Sequence, residues 1–479
     1  MAVYYVNSVT GSDSNSGTTE GAAFASLSAV ETLKLKPGDS VLLAAGSTFN
    51  EQFDLKYSGS VAAPIMIGKY GEGPAPVIHS TGDGIHTSSA SNIVVEDIKI
   101  SDIGGAAIYA GNVSNWTVRN VEIENTGLSG RPGSVFFQNG ANVTIQDSQI
   151  SGVHGDGIFM NKIDGVTVIG NSVTGSLGAT ADAVQINESS HVVVQGNMLD
   201  QTGSDSTKGV IAVVHGQDVL IESNIVLGGN FGVSAQASQT IAIRNNDISG
   251  YGGYSWSYAI GLGDQGDARD YDISGNHVHN GVWGVSISAA GNPPYVRDNI
   301  DIHENVFNDL ASAALKIDRP ASGEFRDNVI GALVVPTSIS PAIAAAGTFP
   351  VLNNITLDEA LMRFASSEAT HVSDGMLRDF HVADFAGHSE AMSALKGEDH
   401  HDGLAEADLS HGTLFLREFV DNGSALGVSA SNDHVTGQAA PPNTSAAVTA
   451  SAEFNQGPGS PSHSFDSVHV LDNGDGLLL

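Results

Sequence analysis

The sequence has no cysteine, which rules out disulfides and thiolate metal sites and says little about compartment. Aromatic residues are scarce at 6%, charged residues at 15%, and proline occurs only 15 times in 479 residues. Basic residues are scarcer still: 19 Lys+Arg face 53 Asp+Glu, a formal net charge of −34. A chain of that sign repels phosphate backbones and anionic lipid, so nucleic acid and membrane surfaces are excluded as partners. No window approaches the roughly 18 apolar residues of a membrane-spanning helix. The start, Met1-Ala-Val-Tyr-Tyr-Val-Asn, has neither the basic region nor the apolar stretch of a cleaved secretory leader. Either a leader has been lost from this sequence or the protein leaves the cell by another export route.

Small residues, β-branched residues and Asn are abundant, with 57 Gly, as suits many short strands joined by tight corners. A short β-rich phrase ending in Asn returns at Asn171, Asn197, Asn224, Asn246, Asn276, Asn305 and Asn328, at intervals of 22 to 30 residues. Ile98, Val121 and Ser148 hold the same place upstream. Such a period marks a solenoid in which each repeat is one coil. Asn suits a corner because it tolerates left-handed backbone and its amide can bond the coils above and below. A second phrase follows each corner, as in Gly157-Ile-Phe-Met, Ala183-Val-Gln-Ile and Gly284-Val-Ser-Ile. Its alternation places one set of side chains inward and the next on the surface. The fold expected is all-β: a right-handed, single-stranded parallel β-helix of about ten coils over residues 76–336. Residues 1–75 would cap its N-terminal end, and 337–479 would form an acidic C-terminal extension. That extension is His-rich, but His381, His388, His400, His401 and His411 match no compact metal-site spacing.

The first segment carries Tyr5-Val-Asn, Gly11-Ser-Asp, Leu35-Lys-Pro-Gly-Asp and Pro64-Ile-Met-Ile-Gly-Lys-Tyr-Gly-Glu. With the repeat, these resemble bacterial β-helix proteins of the pectate-lyase superfamily over about 330 residues. The end, Asp472-Asn-Gly-Asp-Gly-Leu-Leu-Leu, resembles the uncleaved C-terminal signals of type I exported proteins.

The residues just before the second phrases form a row: Ser134, Asp156, Asp182, Lys208, Phe231, Tyr258 and Trp283. Neighbours in such a row are about one strand spacing apart, so Asp156 and Asp182 must share a proton, hold a cation or lean on Lys208. The plainer alternative is a corner salt bridge of Asp182 with Lys208. Phe231, Tyr258 and Trp283 would stack on sugar faces, with Trp256 and Tyr254 adding to the aromatic supply. Phe159, Gln185 and Ile211 would face outward in one column, and Asn161, Asn187 and Val213 in the next. His154, His215 and Arg131 lie near the charged trio in sequence.

Two chemistries fit these residue types. In β-elimination, Lys208 or His154 takes the C5 proton of a uronate whose carboxylate is neutralised by Arg131 or by a cation on Asp156 and Asp182. The resemblance implies this division of labour, with Ca²⁺ as the cation. In hydrolysis, Asp156 and Asp182 are the carboxyl pair. The motif sets of polygalacturonases and of mannuronan C5-epimerases are absent from the sequence. The missing leader, absent Cys and acidic-apolar tail resemble rhizobial-type secreted exopolysaccharide depolymerases. That resemblance implies an extracellular bacterial protein, and the expectation is a monomeric lyase on an acidic polysaccharide, with Gln185, Asn187 and His215 assisting the aromatics in binding. A hydrolase and a non-catalytic carbohydrate-binding adhesin are the alternatives.

Overall fold

The computed structural model describes residues 1–127, 133–204, 207–288 and 294–369, with side chains of the last helix described to Arg363. The chain divides into two units, Met1–Arg417 and Glu418–Leu479, and the second lies outside the described residues. So do Arg131, the histidines of the C-terminal extension and the acidic-apolar tail.

The described residues of the first unit form a right-handed parallel β-helix. Among the described residues its strands form one sheet of 24 and another of 13. The larger sheet holds two ladders, fused where two coils run without a break through the 14-residue strands Gly133–Gln146 and Asp156–Ile169. A typical coil therefore has three strands, such as Gly209–Val214, Gln217–Glu222 and Ile225–Gly228. In that coil Ile211, Val213, Val219, Ile221 and Val226 point inward and are buried. Each meets a like residue one coil away, as in Val192, Val219 and Ile241. Burying one such side chain contributes about 1.5–3 kcal/mol, and the stack repeats it in every coil.

The Asn ladder exists, and its geometry differs from expectation in one respect. The left-handed residue at each corner is the one before the ladder Asn: Gly170, Gly196, Ser223, Asn245, Gly275, Glu304 and Asp327 all have φ between 53° and 65°. The ladder Asn is there for its amide. Asn224 Nδ2 donates to the Val194 carbonyl at 2.9 Å in one neighbouring coil and to Asn246 Oδ1 at 2.9 Å in the other. Asn246 Oδ1 also accepts the Asn224 backbone N–H at 3.0 Å. The ladder begins where Ser148 N–H meets Asn171 Oδ1 and continues beyond Asn328 to Asn354. The repeat thus carries one coil past the point near Thr337 where its phrase was expected to stop. Ile355–Thr356 closes the 13-stranded sheet.

At the other end Val3–Val6 pairs with Ser40–Ala44, which pairs with Ile65–Tyr70 and so with Ile93–Glu96. The N-terminal segment enters the same ladder. Its helix, Leu27–Glu31, is capped by Ser26, whose side chain accepts Ala29 N–H, and it buries Leu27 and Val30 over the end of the core.

Candidate active site

Strand register fixes which residues share a row. Gly133 lies opposite Asp156, and Ile158 opposite Val184 brings Asp156 beside Asp182. Val184 then pairs with Ile211, which sets Asp182 against Gly209 rather than Lys208. Gly209 pairs with Phe231, and the row ends with Tyr258 opposite Trp283. Ser134 and Lys208 are each one residue out of the expected row. For Lys208 the cause is loop length: Thr174 pairs with Asp200, so the stretch from Asp200 to Gly209 is one residue longer than that from Thr174 to Asp182. The same slip corrects the columns. Phe159 and Gln185 face outward as expected, followed by Ala212, while Ile211 is in the core. Asn161 and Asn187 are followed by Val214, and Val213 is in the core. Ser134 Oγ points inward, 2.6 Å from Thr126 Oγ1.

Asp156 and Asp182 are both only 4% exposed. Asp156 Oδ1 accepts Asp182 N–H at 2.8 Å, and Asp182 Oδ1 accepts Gly209 N–H at 3.0 Å. One oxygen of each carboxyl thus satisfies an amide of the next coil. Asp83, in the same row, uses the same device on Ala106 N–H at 2.9 Å, and its other oxygen meets His86 Nδ1 at 2.8 Å. Asp156 and Asp182 border a groove, and there burial governs their protonation. Burial, then repulsion by Asp182, pushes Asp156 up to about 8. Burial pushes Asp182 up to about 7. Lys208 is exposed, and its charge opposes both shifts.

The groove has a volume of about 1170 Å³, above the roughly 300–1,000 Å³ that suits a drug-sized ligand. Asp156, Asp182, Gln185 and Lys208 line one part, Phe231, Trp256 and Tyr258 another. Phe231 stacks on Tyr258 at 4.4 Å between centroids and lies 5.3 Å from Trp256, which stacks on Tyr254 at 4.7 Å. Trp256 is 52% exposed. Burial holds the Tyr258 phenol up at about 12, so it stays protonated beside Ser234 Oγ, 3.2 Å away.

Other expected residues fall differently. His154 is exposed at the groove margin. Trp283 braces the wall: its indole N–H donates to the Ser255 carbonyl at 2.9 Å, and Lys316 Nζ lies 5.3 Å from its ring centre. Asn187 accepts from Gln185 Nε2 at 3.2 Å, one step off the groove lining. His215 is at an exposed left-handed corner with φ 54°, away from the lining residues. Sequence reasoning missed Ser234, Gln236 and the pair Lys316 and Asp318, which stand 3.5 Å apart. The alternation Ala314-Leu-Lys-Ile, one phrase beyond the last one used, carries the signal for Lys316.

The Ca²⁺ expected on Asp156 and Asp182 fits this donor set poorly. Ca²⁺ takes 6–8 oxygen ligands, whereas each of these carboxyls has one oxygen committed to an amide of the next coil.

The chain matches the right-handed β-helix region family over residues 76–176 and 112–276, in agreement with the architecture. A lacto-N-biosidase of Bifidobacterium longum subsp. longum is 40% identical over 129 residues, which span 26% of this chain and 8% of that relative. Among solved structures, a mannuronic acid specific polysaccharide family 6 lyase from human gut microbiota aligns with TM-score 0.50 at 14% identity. That alignment covers 83% of this chain and 100% of the other. The catalytic domain of a GH87 alpha-1,3-glucanase aligns with TM-score 0.51 at 16% identity, over 74% of this chain and 68% of its own. These two likenesses are likenesses of fold. Among the described residues no helix is long and apolar enough to cross a membrane.

Proposed function

We propose that this protein is an extracellular glycan-cleaving enzyme and that it acts as a glycoside hydrolase, with Asp156 and Asp182 as its carboxyl pair. One observation carries the reading: two buried carboxyls on adjacent coils, both with raised proton affinity, line a groove that continues into an aromatic wall. At neutral pH such a pair holds about one proton between them. One carboxyl of the pair, Asp156 in this reading, donates it to the glycosidic oxygen as the C1–O bond breaks. Asp182 supplies the negative charge that attacks C1 or draws a proton from water. Lys208 steadies the ionised form. The partial match to a lacto-N-biosidase supports a hydrolase, and the groove's charge favours a neutral glycan over a polyuronate. Even with one proton shared by Asp156 and Asp182, the carboxyls of its lining, with Asp264 and Asp318, carry more charge than Lys208 and Lys316.

Lys208 also favours a second reading. Its charge reaches both carboxyls, and it is exposed, as the base of a β-elimination must be to meet a C5 proton. Incubation with neutral and uronate-containing glycans separates the two. The hydrolase releases reducing ends with no unsaturated-uronate absorbance, and added Ca²⁺ leaves its rate unchanged. Both signals rising together, and both lost in Lys208→Ala, would establish the lyase. Binding without cleavage would leave a carbohydrate-binding solenoid.

Removing the exposed stacking face tests the aromatic wall. Trp256→Ala is expected to raise KM roughly tenfold, about 1–1.5 kcal/mol of stacking, with kcat changed much less. Steady-state kinetics on an oligosaccharide substrate would check it, and an unchanged KM would remove Trp256 from the binding surface.

A further inference from the structure

We propose a second site on the 13-stranded sheet, away from the groove ladder: a divalent transition-metal site of the Zn²⁺ class, formed by Asp247, His277 and His279. The proposal does not depend on the hydrolase reading. Asp247 begins the strand Asp247–Ser249, and the next coil supplies His277–Gly281, with Asp247 opposite His277. His277 and His279 are two residues apart on one strand and therefore face the same side. Their rings stack at 4.3 Å between centroids. Asp247 Oδ1 lies 2.8 Å from His279 Nε2 and 3.6 Å from His277 Nδ1. One ligand atom of each residue lies within 4.8 Å of the others.

These spacings suit a small cation. Zn–N and Zn–O bonds of about 2.0–2.2 Å in a tetrahedron place donor atoms roughly 3.3–3.6 Å apart. The two contacts of Asp247, 2.8 and 3.6 Å, bracket that range, and the third pair of donor atoms lies within 4.8 Å, so small side-chain shifts would close the set. Two imidazoles and one carboxylate suit Zn²⁺ and its neighbours better than Ca²⁺ or Mg²⁺, which prefer all-oxygen sites. The fourth position is left for water, because the three side chains are only partly buried. Asn280 Nδ2 lies 2.8 Å from His279 Nδ1 and donates to it, which leaves the proton on Nε2 facing Asp247; metal binding requires that amide to turn over. With Oδ1 turned to that nitrogen it accepts Nδ1–H and fixes the tautomer that presents Nε2 to the cation.

The position gives the site a consequence. Asp247–Ser249 leads into the loop that carries Tyr251, Tyr254 and Trp256, and His277–Gly281 leads into Trp283. Gly250 N–H already bonds the Asn280 carbonyl at 3.1 Å, and Tyr251 Oη bonds the Trp283 carbonyl at 2.9 Å. A cation on the three ligands would pin these two coils together beneath the aromatic wall.

The test uses the metal-stripped full chain. Zn²⁺ is titrated by calorimetry, and Co²⁺ by the visible absorption that reports tetrahedral coordination. The wild type is expected to bind one equivalent that the His277→Ala, His279→Ala double variant has lost, and to melt at a higher temperature with Zn²⁺ than without. Asp247→Asn, a near-isosteric change, keeps the question answerable if the double variant misfolds, and should weaken that equivalent at least tenfold. Asn280→Ala should weaken it by about 10–100-fold. Equal stoichiometry and affinity in wild type and Asp247→Asn would overturn the proposal, since the metal would then be held by histidines elsewhere in the chain. Absence of any bound equivalent in the wild type would overturn it too.

Discussion

Asp182→Asn, and separately Asp156→Asn, should each slow glycan cleavage by at least about a thousandfold while making the fold more stable above pH 8. The two effects have one origin. In the native protein the carboxyls keep their protons up to about 7 for Asp182 and about 8 for Asp156, whereas the reference value for Asp is 3.8. Between those limits the native state binds more protons than the unfolded chain. Stability contributed by the protonated carboxyls is therefore complete at low pH and is lost as pH rises from about 4 to about 8. Asn has no proton to lose, and its Oδ1 can still accept the amide of Gly209 or Asp182. Each variant should thus flatten the fall in stability between pH 5 and pH 9, by an amount on the order of a few kcal/mol. Because Asp182 contributes to the shift of Asp156, the two gains should add to less than their sum. Urea unfolding at both pH values would measure this, beside the rate. Unaltered pH slopes would mean that the pair is not held protonated, and the assignment of Asp156 as acid would fall with it.

Asn246→Ala should cost about 3–5 kcal/mol, near the top of the range for single substitutions. The change removes the Oδ1 that accepts both Asn224 N–H at 3.0 Å and Asn224 Nδ2 at 2.9 Å. It also removes the donor that reaches the Ile221 carbonyl and Asn276 Oδ1 at 2.9 Å each. These groups are buried; Asn276 Oδ1 keeps the residue 246 N–H and Asn224 Nδ2 keeps the Val194 carbonyl, but the Asn224 N–H loses its acceptor and each of the others loses one bond. The adjacent residue supplies the control. Asn245 holds the left-handed position with φ 53°, which Gly occupies at the corresponding corners before Asn171, Asn197 and Asn276. Asn245→Gly is expected to stay within about 0.5 kcal/mol of the wild type. Equal losses at 245 and 246 would show that the corner conformation, rather than the amide ladder, holds the coils.

The β-helix was legible because its determinants are local and repeated. Val219, Ile221, Asn224 and Val226 recur in kind in each coil, and the same physics selects them each time. The active-site row was legible only in part, because it depends on register across variable loops. One extra residue between Asp200 and Gly209 replaces Lys208 with Gly209 in the row and exchanges Ile211 for Ala212 on the outward face. No pattern inside that loop announces the insertion; the strand pairing on either side reveals it. Trp283 was placed in the right row, yet its ring direction turns it from a groove surface into a brace for Ser255. The role of Asp83 was missed because its row begins upstream of the phrases that define the repeat, and its second oxygen is taken by His86.

The one-per-coil placement of these groups also gives the molecule a ruler. Adjacent coils are about 4.8 Å apart, so Phe231 stands two coils, roughly 10 Å, along the axis from Asp182, and Tyr258 about 14 Å. A single sugar cannot touch the carboxyl pair and the aromatic wall at once. Chain length thus becomes part of substrate recognition: each added sugar reaches a further coil until the wall is engaged, and gains nothing beyond it.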